Sequence, residues 1–128
     1  MADEHGPRFV ALVDDARQRI VETTPEIVRG RLGRDDAFVL LDVREDHEWD
    51  ASRIPGARHL ARGILERDIE ETLPHLDTPL VLYCGGGYRS ALAADALQRM
   101  GYTRVESMDG GIRGWKAAGY PIDDSVPE

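Results

Sequence analysis

Two short runs of the chain are almost wholly apolar: Phe38-Val39-Leu40-Leu41-Asp42-Val43 and Leu80-Val81-Leu82-Tyr83. Runs of this length without alternation predict strands covered on both faces, the habit of a parallel sheet. Other stretches carry apolar residues at helical spacing. Phe9, Val10, Leu12, Val13 and Ala16 give residues 9–19 one apolar face, and Ile64, Leu65, Ile69, Leu73 and Leu76 follow a similar period. Ser90–Met100 is rich in Ala and Leu and ends at Gly101, which predicts a helix. Thr24-Pro25-Glu26 predicts a helix start, with Thr24 as N-cap and Pro25 in the first turn, running to about Leu32 and stopping at Gly33. Shorter signals predict strands at Ile20–Glu22, Ala57–Leu60 and Thr103–Met108. The turn Asp109-Gly110-Gly111 is followed by a short helix, Ile112–Ala118, closed by Gly119. Strands alternating with helices predict an α/β fold with a mainly parallel sheet. Residues 1–8 are polar and predict an unpacked end.

The chain has 128 residues, 41% hydrophobic and 31% charged, which suits one folded domain. Its net charge of −8 argues against nucleic acid and anionic membranes as partners. No apolar run approaches the ~18 residues of a membrane span. The acidic, weakly apolar start does not resemble a secretory leader, so the expected location is the cytoplasm. The single cysteine excludes an internal disulfide and suits a reducing compartment. His5, His47, His59 and His75 show no metal-ligand spacing and predict surface or boundary residues; neither a metal nor an organic cofactor is expected.

The chemistry concentrates in Val81-Leu82-Tyr83-Cys84-Gly85-Gly86-Gly87-Tyr88-Arg89-Ser90-Ala91. A buried strand ends at Cys84, a glycine-rich turn follows, and a helix begins near Ser90. Ligands collect at the carboxyl ends of parallel strands. Three glycines let the backbone curl and keep its N–H groups bare, forming a nest for an anion in front of the helix N-terminus. A cysteine at the mouth of such a nest is expected to be partly thiolate at neutral pH.

Cys84 to Arg89 resembles the six-residue active-site loop of the rhodanese family, which starts with the catalytic cysteine. Leu40-Leu41-Asp42-Val43-Arg44-Glu45 is similar to the family's Asp-x-Arg segment. Glu48-Trp49 with Ile54-Pro55-Gly56-Ala57 is similar to its next signature. Gly110-Gly111-Ile112-Arg113-Gly114-Trp115 with Gly119-Tyr120-Pro121 resembles its C-terminal signature. The resemblance covers roughly residues 23–122. It divides the chain into an N-terminal extension (1–22) with a helix, a rhodanese-like domain (23–122) and a tail (123–128). It implies a central five-stranded parallel sheet with helices on both faces.

The resemblance also implies a sulfurtransferase. Cys84 would take a sulfane sulfur from a donor such as thiosulfate and pass it, through a persulfide, to cyanide or a thiol. Gly86, Gly87, Tyr88 and Arg89 would offer N–H groups to the persulfide, with Gly85 completing the loop. A protein thiol is an alternative acceptor, the glycine loop leaving room for a partner's cysteine. A non-catalytic binding module and a sulfur carrier are the rival readings. Phosphatases and arsenate reductases of related fold have a loop one residue longer, with Arg six positions after Cys; here Arg89 is five positions on and Ser90 follows. The sequence departs from the family at Ser52-Arg53, where Gly-His is frequent, and at Gly85-Gly86, where many active members carry bulkier or basic residues.

The supporting residues have competing roles. Asp42 would accept hydrogen bonds from the loop; Arg44 reads as half of a structural ion pair with Glu48. Arg89 either grips a sulfonate or turns back onto a carboxylate such as Asp42. Ser90 opens the helix behind the loop. Tyr88 walls the pocket or packs beneath it. Trp49 and Trp115 predict core or rim packing, with Trp115 a candidate for the entrance. The acidic run Glu66–Glu71 predicts a solvated helix face.

Overall fold

The computed structural model describes residues 5–126. Along the chain come α1 (Pro7–Arg17), β1 (Val21–Thr23), α2 (Pro25–Gly33), β2 (Val39–Asp42) and α3 (Asp46–Ala51), then β3 (Arg58–His59), a 3₁₀ turn (Arg62–Ile64) and α4 (Leu65–Thr72). They are followed by β4 (Leu80–Tyr83), α5 (Tyr88–Arg99), β5 (Val105–Met108) and α6 (Gly111–Ala117). The strands form one sheet in the order β1-β5-β4-β2-β3, every neighbouring pair parallel. The two apolar runs are β2 and β4, adjacent strands in the interior of the sheet, in register from Val39 opposite Leu80 to Asp42 opposite Tyr83. Period-2 alternation then feeds two cores. Leu41, Leu80 and Leu82 join Leu65, Ile69, Ala93, Ala94 and Leu97 of α4 and α5 on one face. Leu40, Val81 and Tyr83 join Val28, Ile112 and Trp115 of α2 and α6 on the other. This is the expected α/β sheet with helices on both faces.

Boundaries shift where local chemistry outweighs periodicity. Thr24 caps α2 as expected, its Oγ1 accepting the Ile27 N–H at 3.2 Å. Helix α5 begins at Tyr88 rather than Ser90, because Gly87, at φ 99°, turns the chain directly into it. Helix α3 carries no apolar stripe for a periodicity reading to find; it is started by Glu48, whose Oε1 accepts the Glu45 N–H at 3.0 Å.

The expected unpacked end is only partly so, and the tail is tied to the domain. Residues 1–4 and 127–128 lie outside the described residues. Pro7 and Arg8 already belong to α1, which packs along α5 with Val13 and Ala16 buried. In the tail, Arg53 exchanges backbone hydrogen bonds with Asp123 at 2.8 Å, and its guanidinium reaches the Ser125 carbonyl. Among the described residues no helix is long and apolar enough to cross a membrane.

Candidate active site

Cys84 follows the last residue of β4, at the carboxyl edge of the sheet, and is 1% exposed. Its Sγ accepts the Gly87 N–H at 3.2 Å and the Ser90 N–H at 3.3 Å. Ser90 lies in the first turn of α5, whose N–H groups have no partner within the helix. The sulfur therefore takes the place of an N-terminal capping acceptor, at the positive end of a 12-residue helix. The thiol donates to Ser90 Oγ at 3.6 Å, and Ser90 Oγ in turn lies 2.8 Å from Ser107 Oγ. Both serines are fully buried. The two N–H groups on Sγ are those of Gly87, at the end of the glycine turn, and Ser90, in the first turn of α5.

The loop is held from behind by α6. Ile112 and Arg113 donate their N–H groups to the carbonyls of Cys84 and Gly85, at 2.9 and 3.0 Å. Gly111 makes that approach close. A Cβ there would lie 2.5 Å from both carbonyl oxygens, and its φ is +56°. Gly87 is similarly enclosed: a Cβ would meet Gly110 N at 3.1 Å and Asp109 Cα at 3.2 Å. The C-terminal signature is thus the clamp on the cysteine loop.

The ion pairs differ from the expected ones by an exchange of partners. Asp42 does not reach the loop. Its Oδ1 accepts the Arg44 N–H at 2.9 Å, an Asx-type turn, and both its oxygens are engaged by the Arg44 guanidinium at 2.8–3.1 Å. The pair is buried, and Arg44 also donates to the Ser52 carbonyl. The partner of Arg89 is Glu48, bound through two parallel bonds of 2.7 and 3.0 Å. These hydrogen bonds hold the Glu48 carboxyl down at about 2 against desolvation, which pulls the other way, and they raise Arg89. The Cys84 sulfur adds to the field that favours the guanidinium charge. Arg89 is therefore braced by α3 while its side chain borders the cysteine.

Cys84, Gly86, Tyr88, Arg89, Arg113, His5 and Phe9 line one cavity of about 250 Å³. Tyr88 borders this cavity. Three of these residues were not among the expected site residues. Arg113 sat inside a recognised signature, and its place one turn into a helix that abuts the loop was the available signal. His5 and Phe9 come from the N-terminal segment and had no motif to mark them. Trp115 is not at the entrance: it is 1% exposed, with Nε1 donating to the Pro121 carbonyl at 2.7 Å. Trp49 stacks on His59, ring centroids 5.0 Å apart. A larger groove of about 490 Å³, between α1 and α5, contains no nucleophile, and its charged residues pair with one another.

A parallel α/β sheet with a cysteine loop wrapped on a helix N-terminus defines a class of cysteine-loop proteins of rhodanese type. The chain belongs to that family: residues 24–118 match the rhodanese-like domain. The thiosulfate sulfurtransferase GlpE of Stutzerimonas stutzeri is 36% identical over 90 residues, 70% of this chain and 80% of that protein. The putative sulfur carrier protein YrkF of Bacillus subtilis is 29% identical over 75% of this chain, which spans only 51% of that protein's length. Among solved structures, a Rhodopseudomonas palustris protein of unknown function, named a possible tyrosine phosphatase, superposes with a TM-score of 0.82. It is 31% identical, and the match covers 96% of this chain and 99% of that one.

Proposed function

We propose that the protein is a sulfurtransferase that carries sulfur on Cys84. The observation that supports this most directly is the hydrogen bonding of Sγ, which receives two N–H groups at the positive end of α5 and faces a small cavity. Donors so placed stabilise an anionic sulfur without a neighbouring base. In the first step the Cys84 thiolate attacks the outer sulfur of thiosulfate. A Cys84–sulfur bond forms, the donor's S–S bond breaks, and sulfite leaves with the electron pair. In the second step cyanide or a thiolate attacks the outer persulfide sulfur. Thiocyanate or a new persulfide departs, and the Cys84 thiolate returns. Gly85 to Arg89 form the rim that receives the donor. Asp42 and Arg44 are assigned to holding the end of β2, and Ser90 to the sulfur itself. A reducing compartment, the cytoplasm, suits this cycle.

Intact mass after incubation with thiosulfate tests the reading. The protein should gain one sulfur atom, lost again on addition of cyanide or a thiol, and Cys84→Ser should gain none while remaining folded. No gain in the wild type, or transfer by the serine variant at the parent's rate, refutes it. The name carried by the Rhodopseudomonas palustris relative favours phosphate-ester hydrolysis as the second reading. Against it stands the loop length: with Arg89 five residues after Cys84 the ring of donors is short for a tetrahedral phosphate. Cys84-dependent turnover of an aryl phosphate at or above the rate of sulfur transfer would reverse the ranking.

A further inference from the structure

The cavity over Cys84 is completed by a part of the chain that lies outside the residues matched to the family. Helix α1 precedes the match at residues 24–118, yet it is firmly seated. Val13 and Ala16 are buried, and Arg19 binds Asp95 of α5 through bonds of 3.0 and 2.9 Å. Gln98 donates to the Arg19 carbonyl at 3.0 Å. So anchored, the start of α1 and the residues just before it bring two rings to the cavity over Cys84. Phe9 stacks on Tyr88 with centroids 5.9 Å apart and planes at 26°, and His5 lies 4.5 Å from Tyr88 and 5.2 Å from Phe9. Arg17 holds the same tyrosine by a cation–π contact at 4.9 Å while pairing with Glu22 and Asp109. Three mutually packed rings thus stand beside a cysteine that is itself 1% exposed.

We propose that Phe9 and His5 are specificity-determining residues: they wall the mouth of the Cys84 cavity and restrict sulfur exchange to small donors and acceptors, excluding a thiol borne on a folded protein. A cysteine side chain has a single methylene, so a protein thiol that reaches Sγ must bring its backbone into the mouth. Of the loop glycines, Gly86 lines the cavity, and His5 and Phe9 stand across it. A cavity of about 250 Å³ accepts cyanide, thiosulfate or a low-molecular-weight thiol, but not a loop of a folded partner. The guanidinium groups of Arg89 and Arg113 border this cavity, Arg89 while paired with Glu48. This inference rests on the reading of Cys84 as the sulfur-carrying residue, and its test has one readout that needs no sulfur chemistry.

That readout is the alkylation of Cys84 by iodoacetamide and by a polyethylene-glycol maleimide, each rate normalised to the urea-unfolded chain. The wild type should discriminate against the bulky reagent at least tenfold more than the double variant His5→Ala, Phe9→Ala. Leu12→Ala, on the same helix but 60% exposed and away from this cavity, should behave as wild type. Phe9→Trp should widen the discrimination, which keeps the test sharp if the alanine variant loosens α1. The second readout is discharge of the Cys84 persulfide by reduced thioredoxin relative to cyanide, a ratio that should rise at least tenfold in the double variant. Sulfur uptake without size discrimination in the wild type overturns the inference and leaves the proposed function standing. Discrimination without sulfur uptake overturns the proposed function, and the acceptor half of this inference with it. An unchanged discrimination in the double variant overturns the wall.

Discussion

Gly111→Ala probes the clamp that holds the cysteine loop, and Gly119→Ala is its internal reference. Both glycines have positive φ, +56° and +78°, so each alanine meets the left-handed penalty of about 1–2 kcal/mol. Beyond that their surroundings diverge. A Cβ at Gly119 meets nothing within 4 Å; one at Gly111 lies 2.5 Å from the carbonyl oxygens of Cys84 and Gly85 and 2.7 Å from Gly85 C. Backbone cannot swing aside as a side-chain tip can, so relief requires α6 and the loop to part. The bonds from Ile112 N–H and Arg113 N–H are the first to stretch, and each is worth about 1 kcal/mol net. Gly111→Ala should therefore cost about 3–4 kcal/mol and Gly119→Ala about 1–2 kcal/mol, against a whole-domain stability of about 5–15 kcal/mol. Urea unfolding gives both values through the midpoint at constant slope. Iodoacetamide reacting with the folded Gly111 variant at pH 7 should also find Cys84 more open than in the parent. Equal losses of stability in the two variants, within about 0.5 kcal/mol, would refute the claim that loop and helix are in tight contact.

Two further perturbations address the ion pairs. Glu48 is held at about 2 in the folded chain, below its ordinary 4.5, chiefly by Arg89, so its contribution is fully present above pH ~4.5 and is lost as pH falls towards 2. The full depression corresponds to about 3 kcal/mol, which solvent screening of this partly exposed pair reduces to about 1–2 kcal/mol. The stability difference between wild type and Glu48→Gln, followed by urea unfolding, should have that size near pH 6 and shrink towards pH 2.5; a difference that does not depend on pH would remove the pair from the account. Asp42→Asn leaves the Arg44 guanidinium buried without a counter-charge and should cost about 3 kcal/mol at pH 7. A loss below about 1 kcal/mol by the same assay would show that the Ser52 carbonyl alone satisfies Arg44.

Patterning carried the architecture because the sheet's centre is apolar on both faces. Neither β2 nor β4 can sit at an edge or in a half-exposed sheet without leaving Leu40, Leu41, Val81 or Leu82 in water. Helix α3 escaped because it is six residues long with no buried residue of its own. It exists to turn the chain and to present Glu48, and neither task leaves a periodic trace. The same helix explains the exchanged ion pairs. Spacing along the chain brings Asp42 and Arg44 together, as i and i+2 beyond a strand end, but nothing local says that Glu48 will meet Arg89, 41 residues away. The cysteine loop was legible because its pieces are contiguous: strand, cysteine, glycines and helix follow one another within eleven residues. The cavity above it is not contiguous. Arg113 arrives from α6, Phe9 from α1 and His5 from just before it, all brought to the loop by long-range contacts that no local stretch announces. The loop read by itself says nothing of the three packed rings, His5, Phe9 and Tyr88, that border the same cavity. The cysteine loop can thus be read from a motif, while the residues proposed to wall its cavity come from a segment with no motif at all. The wall should accordingly be altered by substitutions in α1 that leave every signature residue untouched.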